Sequence, residues 1–263
     1  MEGEPLAGGL ANPGAVWRRG VAVRRPAPAN APAVHGFLHA LRDGGFACAP
    51  LPRRISEEGW EELEFINGDV PLPPYPWWSL SDDALASVAG LLRRYHDAAA
   101  SVPVDRTVAW PTDLADPEGG PLLCHNDVCP ENVVFRDRTA VALIDFDFAA
   151  PGRPIWDLAM TARYWVPMLD PTSAAVSRRD HLDPLRRLRV VVDAYDLDAG
   201  GRAVLPTVVE QTTAVARTFV AARVDAGLPA FLQVWDEYGR WERWDRLQQW
   251  LADHRAAFIA AIT

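Results

Sequence analysis

The sequence contains no lysine, so all 26 of its positively charged side chains are arginine. Any task that other proteins give to an ammonium group must be done differently here. An arginine fork can hold phosphate oxygens through two hydrogen bonds and always keeps its charge, but its reach and geometry differ from those of lysine. The formal net charge is -9, and basic residues form no long run. This balance argues against nucleic acid or an anionic membrane as the main partner and mildly favours a cationic ligand.

Cysteines and long apolar runs are also scarce. Cys48, Cys124 and Cys129 are too few for a disulfide framework and lack the C-x-x-C spacing of a zinc site, so we expect buried, reduced thiols. No apolar run approaches the ~20 residues that span a bilayer, and the N-terminus lacks the basic start and apolar core of a signal peptide. We therefore expect a cytoplasmic protein, long enough at 263 residues for one large domain or two lobes.

One stretch of the chain carries a chemical motif. His125, Asp127 and Asn132 fit the spacing H-x-D-x-x-x-x-N, and an apolar run that ends in Asp145 follows. One carboxylate is thus offered separately from a pair of oxygen-bearing side chains. Phosphoryl transfer needs that division, because one acceptor must aim a hydroxyl nucleophile while others hold Mg²⁺, which prefers hard oxygen ligands. The spacing therefore predicts a metal-assisted phosphoryl-transfer site.

At these residues the chain resembles the aminoglycoside phosphotransferase family, the small-molecule kinases that share the protein-kinase fold. The resemblance rests on the motif above, on the segment Ile144–Asp147 and on the segment Trp156–Ala159. It covers most of the chain, strongly over about Ser81–Ala159 and weakly at both ends. It implies an α+β, two-lobed fold, with an antiparallel sheet and a helix in a small N-terminal lobe and a larger, mainly helical C-terminal lobe.

The resemblance also implies roles for five side chains. Asp127 would be the catalytic base, and Asn132 and Asp145 would be magnesium ligands. His125 would pack and brace the backbone without transferring a proton, and Asp157 would be a structural acid in the first turn of a helix. The residues that bind the acceptor substrate carry no motif and are not predicted.

The segments before the motif predict a nucleotide-binding part. We expect an N-terminal lobe over residues 1–68, a proline-rich hinge over 69–78, and a catalytic and substrate-binding lobe over 79–263. The glycine-containing loop Gly8–Gly14 either approaches phosphate oxygens or is a plain hairpin turn. Backbone groups from Glu64 to Ile66 are expected to face the adenine edge of the nucleotide.

The resemblance implies a lysine against the nucleotide phosphates at the end of the third predicted strand, where this chain carries Arg24 and Arg25. We assign that position to Arg24; the alternative for Arg24 is a solvated charge at the strand end. The following predicted helix, 33–42, contains no glutamate. The ion pair that usually joins this helix to the strand lysine is therefore expected to be absent.

The predicted function is transfer of the γ-phosphoryl group of ATP, or of GTP, to a hydroxyl of a small, amine-bearing molecule such as an aminoglycoside antibiotic. The many acids of the C-terminal region could line a cleft for such a substrate or form a solvated face. Two alternatives stay open. One is a regulatory, nucleotide-binding pseudokinase, and the other is a kinase of an ordinary metabolite such as choline, a sugar or an amino-acid alcohol. The oligomeric state is not predicted.

Overall fold

The computed structural model describes residues 3–6 and 14–263. Most of the glycine-containing loop predicted at 8–14 lies outside the described residues. The strands are Glu4–Pro5 (β1), Trp17–Arg19 (β2), Ala22–Pro26 (β3), Pro52–Ile55 (β4), Trp60–Glu64 (β5), Leu122–Cys124 (β6), Val133–Arg136 (β7), Thr139–Leu143 (β8) and Ala150–Gly152 (β9). The α-helices are Ala31–Asp43 (α1), Asp82–Ala99 (α2), Pro154–Trp165 (α3), Pro171–Val176 (α4), Pro184–Tyr195 (α5), Ala199–Asp225 (α6), Pro229–Glu237 (α7) and Arg240–Ile262 (α8).

The first five strands form one antiparallel sheet in the order β1-β2-β3-β5-β4. Helix α1 follows β3, and its apolar side chains at helical spacing are buried, with Phe37, Leu38 and Leu41 among them. Successive side chains of a strand point to opposite faces of the sheet. The register between β3 and β5 pairs Arg25 with Glu61, so both side chains lie on the same face and both are buried.

The C-terminal part of the chain is mainly helical. Helix α2 begins after Ser81, whose hydroxyl accepts a hydrogen bond from the amide of Ala84 at 3.2 Å. Helix α2 packs against α5, and α6 packs against both α3 and α8. The combination of an antiparallel sheet with a larger helical part agrees with the α+β prediction, whereas the boundaries at residues 68 and 78 stay predictions. Within the described residues, no helix combines the length and the apolar character that crossing a membrane requires.

A short hairpin, β7 to β8, positions two of the predicted site residues. Its turn residues Asp137 and Arg138 have φ values of 49° and 64°, as a two-residue turn between twisted strands requires. Val133 pairs with Leu143, and beyond this pair the amide of Ile144 donates to the carbonyl of Asn132 at 2.9 Å. The ends of the hairpin therefore hold Asn132 beside the residue that precedes Asp145.

Candidate active site

The predicted catalytic loop leaves β6 at His125 and is fixed by one buried acid. Asp157, in the first turn of α3, has no exposed surface. Its carboxylate accepts hydrogen bonds from the amides of His125 at 2.7 Å and Asn126 at 2.8 Å, and from Nε2 of His96 at 3.0 Å. Burial on its own would raise the pKa of Asp157, but these donors together lower it. Asp157 is therefore an ionised acceptor that ties the loop to α3.

His125 connects this loop to the strand that follows it. Its Nδ1 accepts from the amide of Asp127 at 3.3 Å, which leaves Nε2 as the donor to the carbonyl of Ile144 at 3.0 Å. The imidazole also packs on the ring of Phe146, with 4.5 Å between ring centroids. Both ring nitrogens are engaged by backbone groups, so His125 contacts the loop and the strand end at once.

Asp127 is held through both of its carboxylate oxygens. Oδ2 accepts from Nδ2 of Asn132 at 2.9 Å, and Oδ1 accepts from the hydroxyl of Tyr164 at 2.8 Å. Burial raises the pKa of Asp127, while the Tyr164 hydrogen bond acts in the opposite direction. A carboxylate with a raised pKa and a fixed orientation is suited to accept a proton from a hydroxyl group.

Asn132 and Asp145 carry oxygen-bearing side chains at the same end of the hairpin. Nδ2 of Asn132 donates to the carbonyl and carboxylate of Asp127, which leaves its Oδ1 as an acceptor. Asp145 has a φ of 67°, a left-handed conformation uncommon for a residue other than glycine, and its side chain is 39% exposed. An amide oxygen and a carboxylate are hard donors of the kind that Mg²⁺ prefers, so these two residues fit a magnesium ion.

A single guanidinium group connects three carboxylates beside this pair. Arg25, only 8% exposed, donates from Nε to Glu61 at 2.6 Å, from Nη1 to Asp145 at 2.6 Å and from Nη2 to Asp147 at 2.5 Å. His35 of α1 contacts the other oxygen of Glu61 through Nε2 at 2.7 Å. The pKa of Arg25 is raised, because the three carboxylates outweigh the effect of burial.

An ion pair does form in the N-terminal part, although α1 carries no glutamate. The acid comes from the neighbouring strand β5 instead of the helix, and α1 contributes His35 to it. Asp147 makes a hydrogen bond with Arg25. Burial and repulsion from Asp145 raise the pKa of Asp147 to about 7.

The structure does not bring Arg24 to this cluster. Its guanidinium carbon lies 4.9 Å above the ring of Trp60, and its partner across the sheet is Glu62. Because Arg24 and Arg25 are adjacent on one strand, only one of them can point toward Asp145. The alternation of side chains along β3 therefore directs Arg25, and not Arg24, toward Asp145.

The two residues expected at the adenine edge lie at the end of β5 and just beyond it. The amide of Glu64 already donates to the carbonyl of Leu51 at 2.9 Å, and its carboxylate accepts from Arg42 at 2.8 Å. The amide of Ile66 has no backbone partner in the part of the chain that the structure describes. Of the two residues, Ile66 therefore has the N–H group that remains available to a ligand.

A second cluster of potential ligands lies in the core behind the loop. His96, Cys124 and Asp157 are buried, and their ligand atoms lie within 4.8 Å of one another. His96 is bonded to Asp157 and to the hydroxyl of Tyr195 at 2.6 Å, and the thiol of Cys124 donates to a backbone carbonyl at 3.4 Å. Protein partners satisfy these atoms without a metal.

All three cysteines are free, as expected, but only Cys124 is buried.

Comparison with known proteins identifies the family of the chain. A profile of the phosphotransferase enzyme family matches residues 103–191. The trifolitoxin immunity protein of Rhizobium leguminosarum bv. trifolii is 32% identical over 192 residues, which are 69% of this chain and 70% of that protein. The chain belongs to the aminoglycoside phosphotransferase family. The predicted family is confirmed, and the protein is a small-molecule phosphotransferase.

Three further comparisons relate the phosphotransferase to other proteins. Homoserine kinase of Bradyrhizobium sp. (strain ORS 278) is 29% identical over 147 residues, 55% of this chain but only 39% of that protein. The choline/ethanolamine kinase family protein from Mesorhizobium loti superposes with a TM-score of 0.66 at 16% identity, over 100% of this chain and 92% of that chain. The GDP complex of aminoglycoside 2'-phosphotransferase-IIIa gives 0.59 at 15% identity, over 97% and 93%. These superpositions confirm the kinase-like α+β fold.

Three side chains of the site in this phosphotransferase were not predicted from the sequence: Arg25, Glu61 and Tyr164. Glu61 lies on the same face of β5 as the apolar Leu63, which indicates an inward-facing acid, but its pairing with Arg25 depends on the register of β3 against β5. Tyr164 carries no such signal, because it lies 37 residues after its partner Asp127 and belongs to no motif.

Proposed function

We propose that this phosphotransferase moves the γ-phosphoryl group of ATP, or of GTP, to a hydroxyl of a small molecule. The observation that supports the proposal is the junction of three oxygen-bearing side chains. The amide of Asn132 is bonded to the carboxylate of Asp127, and the backbone bond from Ile144 to Asn132 brings Asp145 to the same place. Asp127 can then act on the acceptor hydroxyl while Asn132 and Asp145 hold a metal ion.

Asp127 is the proposed base. Asn132 and Tyr164 fix its two oxygens, so the carboxylate keeps one orientation toward an incoming hydroxyl group. Its raised pKa brings it closer to the pKa at which a general base works best near neutral pH. Such a base contributes about 10²- to 10⁴-fold in rate, so positioning and charge neutralisation must supply the rest.

Asn132, through Oδ1, and Asp145, through its carboxylate, are the proposed magnesium ligands. A bound magnesium ion neutralises charge on the phosphates of the nucleotide. The close approach of Asp145 and Asp147, which contributes to the raised pKa of Asp147, supports this assignment because a divalent cation would offset their repulsion.

Arg25 is proposed to take the position of the phosphate-binding lysine. Glu61 and His35 orient its guanidinium group, and the free Nη positions would turn to phosphate oxygens. Backbone groups near Ile66 would hold the adenine edge. His125 and Asp157 would support the loop through the backbone contacts described above.

The test is replacement of the proposed base, Asp127→Ala, with the exposed Asp253→Ala of α8 as its matched control. ADP release is measured with Mg²⁺ present across hydroxylated amines, amino alcohols and sugars. We expect Asp127→Ala to lose at least about 10²-fold in turnover and to keep nucleotide binding, while the control keeps both. Unchanged turnover in Asp127→Ala would refute the assignment.

A regulatory pseudokinase is the second candidate. Arg25 already engages one oxygen of Asp145 and one of Asp147, the acids nearest to the proposed metal position. If this contact persists in the nucleotide complex, Asp145 has fewer oxygens for a metal. Binding of Mg-ATP without any phosphorylated product across the same panel would favour this candidate over the kinase.

A further inference from the structure

A group of arginines lies beside the proposed base, on the side formed by α3 and the C-terminal helices. The guanidinium carbon of Arg163 lies 4.4 Å from the ring centroid of Tyr164, and the hydroxyl of the same ring donates to Asp127 at 2.8 Å. Nη1 of Arg179 donates to the backbone carbonyl of Tyr164 at 2.8 Å. Two guanidinium groups therefore flank the residue that orients the base.

A third arginine of this group comes from the first turn of α8. Arg243 stacks on Tyr238, with 4.9 Å from its guanidinium carbon to the ring centroid. One turn further along the helix, Nε of Arg246 lies 3.5 Å from Oδ1 of Asp170, which follows α3 in the chain. This contact joins the start of α8 to the end of α3. Burial lowers the pKa of Arg243, and the charge of Arg163 lowers it further.

The three guanidinium groups have buried donors without acceptors. In the described part of the chain, the Nε atoms of Arg163, Arg179 and Arg243 are buried and have no hydrogen-bond partner. The acids of this region are already engaged. Asp170 accepts from Ser173 and contacts Arg246, and Glu131 accepts from the hydroxyl of Tyr75 at 2.8 Å.

Such an arrangement is costly without an anion. Burial of a positive charge is unfavourable unless a negative group and hydrogen bonds compensate for it, and neighbouring cations repel each other. The chain as a whole has a net charge of -9, so acids that could pair with these arginines are abundant elsewhere. The positive charge next to Asp127 is therefore local and is opposite in sign to the net charge of the whole molecule.

We propose that Arg163 and Arg243 bind a carboxylate of the acceptor, beside the hydroxyl that Asp127 aims at the nucleotide. The acceptor is then a small hydroxy acid, hydroxyl-bearing amino acids included, and is not a polycation. The proposal rests on the proposed function, since it assigns the substrate class of the same site. Paired N–H donors in a planar fork match the two oxygens of a carboxylate, which is the recognition that arginine provides better than other side chains.

The test compares acceptors that differ only in the carboxylate. L-serine is paired with ethanolamine, and L-homoserine with aminopropanol, and kcat/KM is measured with Mg-ATP. The variants are Arg163→Gln and Arg243→Gln, with Arg255→Gln as the control, since Arg255 is an exposed arginine of α8 paired with Glu210. We expect the wild type and the control to prefer the carboxylate-bearing member of a pair. Each glutamine variant should lose about 10- to 100-fold on that member alone, as expected for a hydrogen bond to a charged group.

A binding measurement keeps the proposal testable if turnover is low. Titration calorimetry with a non-hydrolysable ATP analogue present should show binding of the hydroxy acids to the wild type, and at least about tenfold weaker binding to Arg163→Gln. Circular dichroism verifies that each variant is folded, and Arg163→Lys supplies a folded variant without the fork. Equal preference for both members of each pair, or equal losses on both, overturns the carboxylate site while leaving the kinase proposal standing. Carboxylate-selective binding with no turnover for any acceptor overturns the kinase proposal instead.

Discussion

Nη1 of Arg25 lies 2.6 Å from Oδ1 of Asp145, although the two residues are 120 positions apart in the sequence. Arg25 belongs to the sheet of the N-terminal part, and Asp145 follows the hairpin that carries Asn132. The contact thus joins the proposed nucleotide-binding part to the proposed metal position. Because the guanidinium also bonds Glu61 and Asp147, its loss would leave three acids without their common partner.

The first prediction concerns the stability that Arg25 supplies. Arg25→Met should reduce the free energy of unfolding by about 3–5 kcal/mol, because removing one partner of a buried ion pair leaves uncompensated charge. The matched control is Arg54→Met on β4, whose arginine is exposed and paired with Glu62. This control should leave the free energy of unfolding nearly unchanged, because an exposed ion pair contributes little. Urea unfolding monitored by tryptophan fluorescence provides both values, and equal losses in the two variants would contradict the prediction.

The second prediction uses two neighbouring acids on β5. Glu61 is buried and bonded to Arg25 and His35, whereas Glu62 points to the other face and contacts Arg54. Glu61→Gln should lower stability by about 2–3 kcal/mol and raise the KM for ATP, because Arg25 loses the acid that orients it. Glu62→Gln should leave the KM unchanged. If both variants bind ATP as the wild type does, Glu61 has no positioning role.

The third prediction concerns the hydroxyl of Tyr164. Its hydrogen bond stabilises the ionised form of Asp127, so Tyr164→Phe should raise the pKa of that acid. The acidic limb of the kcat/KM profile then moves to higher pH, and kcat falls by about 2- to 10-fold from the loss of one hydrogen bond. Tyr75→Phe is the control, because the hydroxyl of Tyr75 contacts Glu131. A limb that stays in place in Tyr164→Phe would contradict the prediction.

The fourth prediction follows from the lowered pKa of Asp157. A carboxyl whose folded pKa lies below its unfolded value, about 3.9, contributes stability above that pH and loses the contribution as the pH falls. Asp157→Asn should therefore cost about 3 kcal/mol near neutral pH, and less below about pH 4. The control Asp97→Asn removes an exposed pair with Arg93 and should cost no more than about 0.5 kcal/mol. Thermal unfolding over this pH range measures both, and a cost that does not depend on pH would contradict the assignment.

Local patterns were sufficient for much of the fold. The predicted helix 33–42 agrees with α1 to within about two residues at each end, because apolar residues at helical spacing mark the face that this helix buries. The hairpin of β7 and β8 follows from two apolar runs around Asp137 and Arg138. Helix α4 was not predicted, since six residues are too few to establish a period. Its start depends on Asp170, whose carboxylate accepts from the amide of Ser173 at 3.2 Å.

In the candidate site, too, only the residues that belong to a local pattern were predicted. Asp127, Asn132 and Asp145 were predicted because they occur within 19 residues at a recognisable spacing. The choice between Arg24 and Arg25 required the register of β3 against β5, which a sequence does not state. Long-range contacts carry no local signal at all. Arg163 stacks on Tyr164 and Arg243 stacks on Tyr238, and the two arginines approach each other only because α8 packs near Asp170.

The proposed use of Arg25 in place of a lysine also decides which chemical probes can detect this site. Reagents that label nucleotide-binding pockets by acylating a side-chain amine require an ammonium group that can release its proton. A guanidinium group does not deprotonate in proteins, and the three carboxylates around Arg25 raise its pKa further. Since the chain contains no lysine, amine-directed labelling of this kinase-like pocket should leave it unmodified even when the nucleotide is bound.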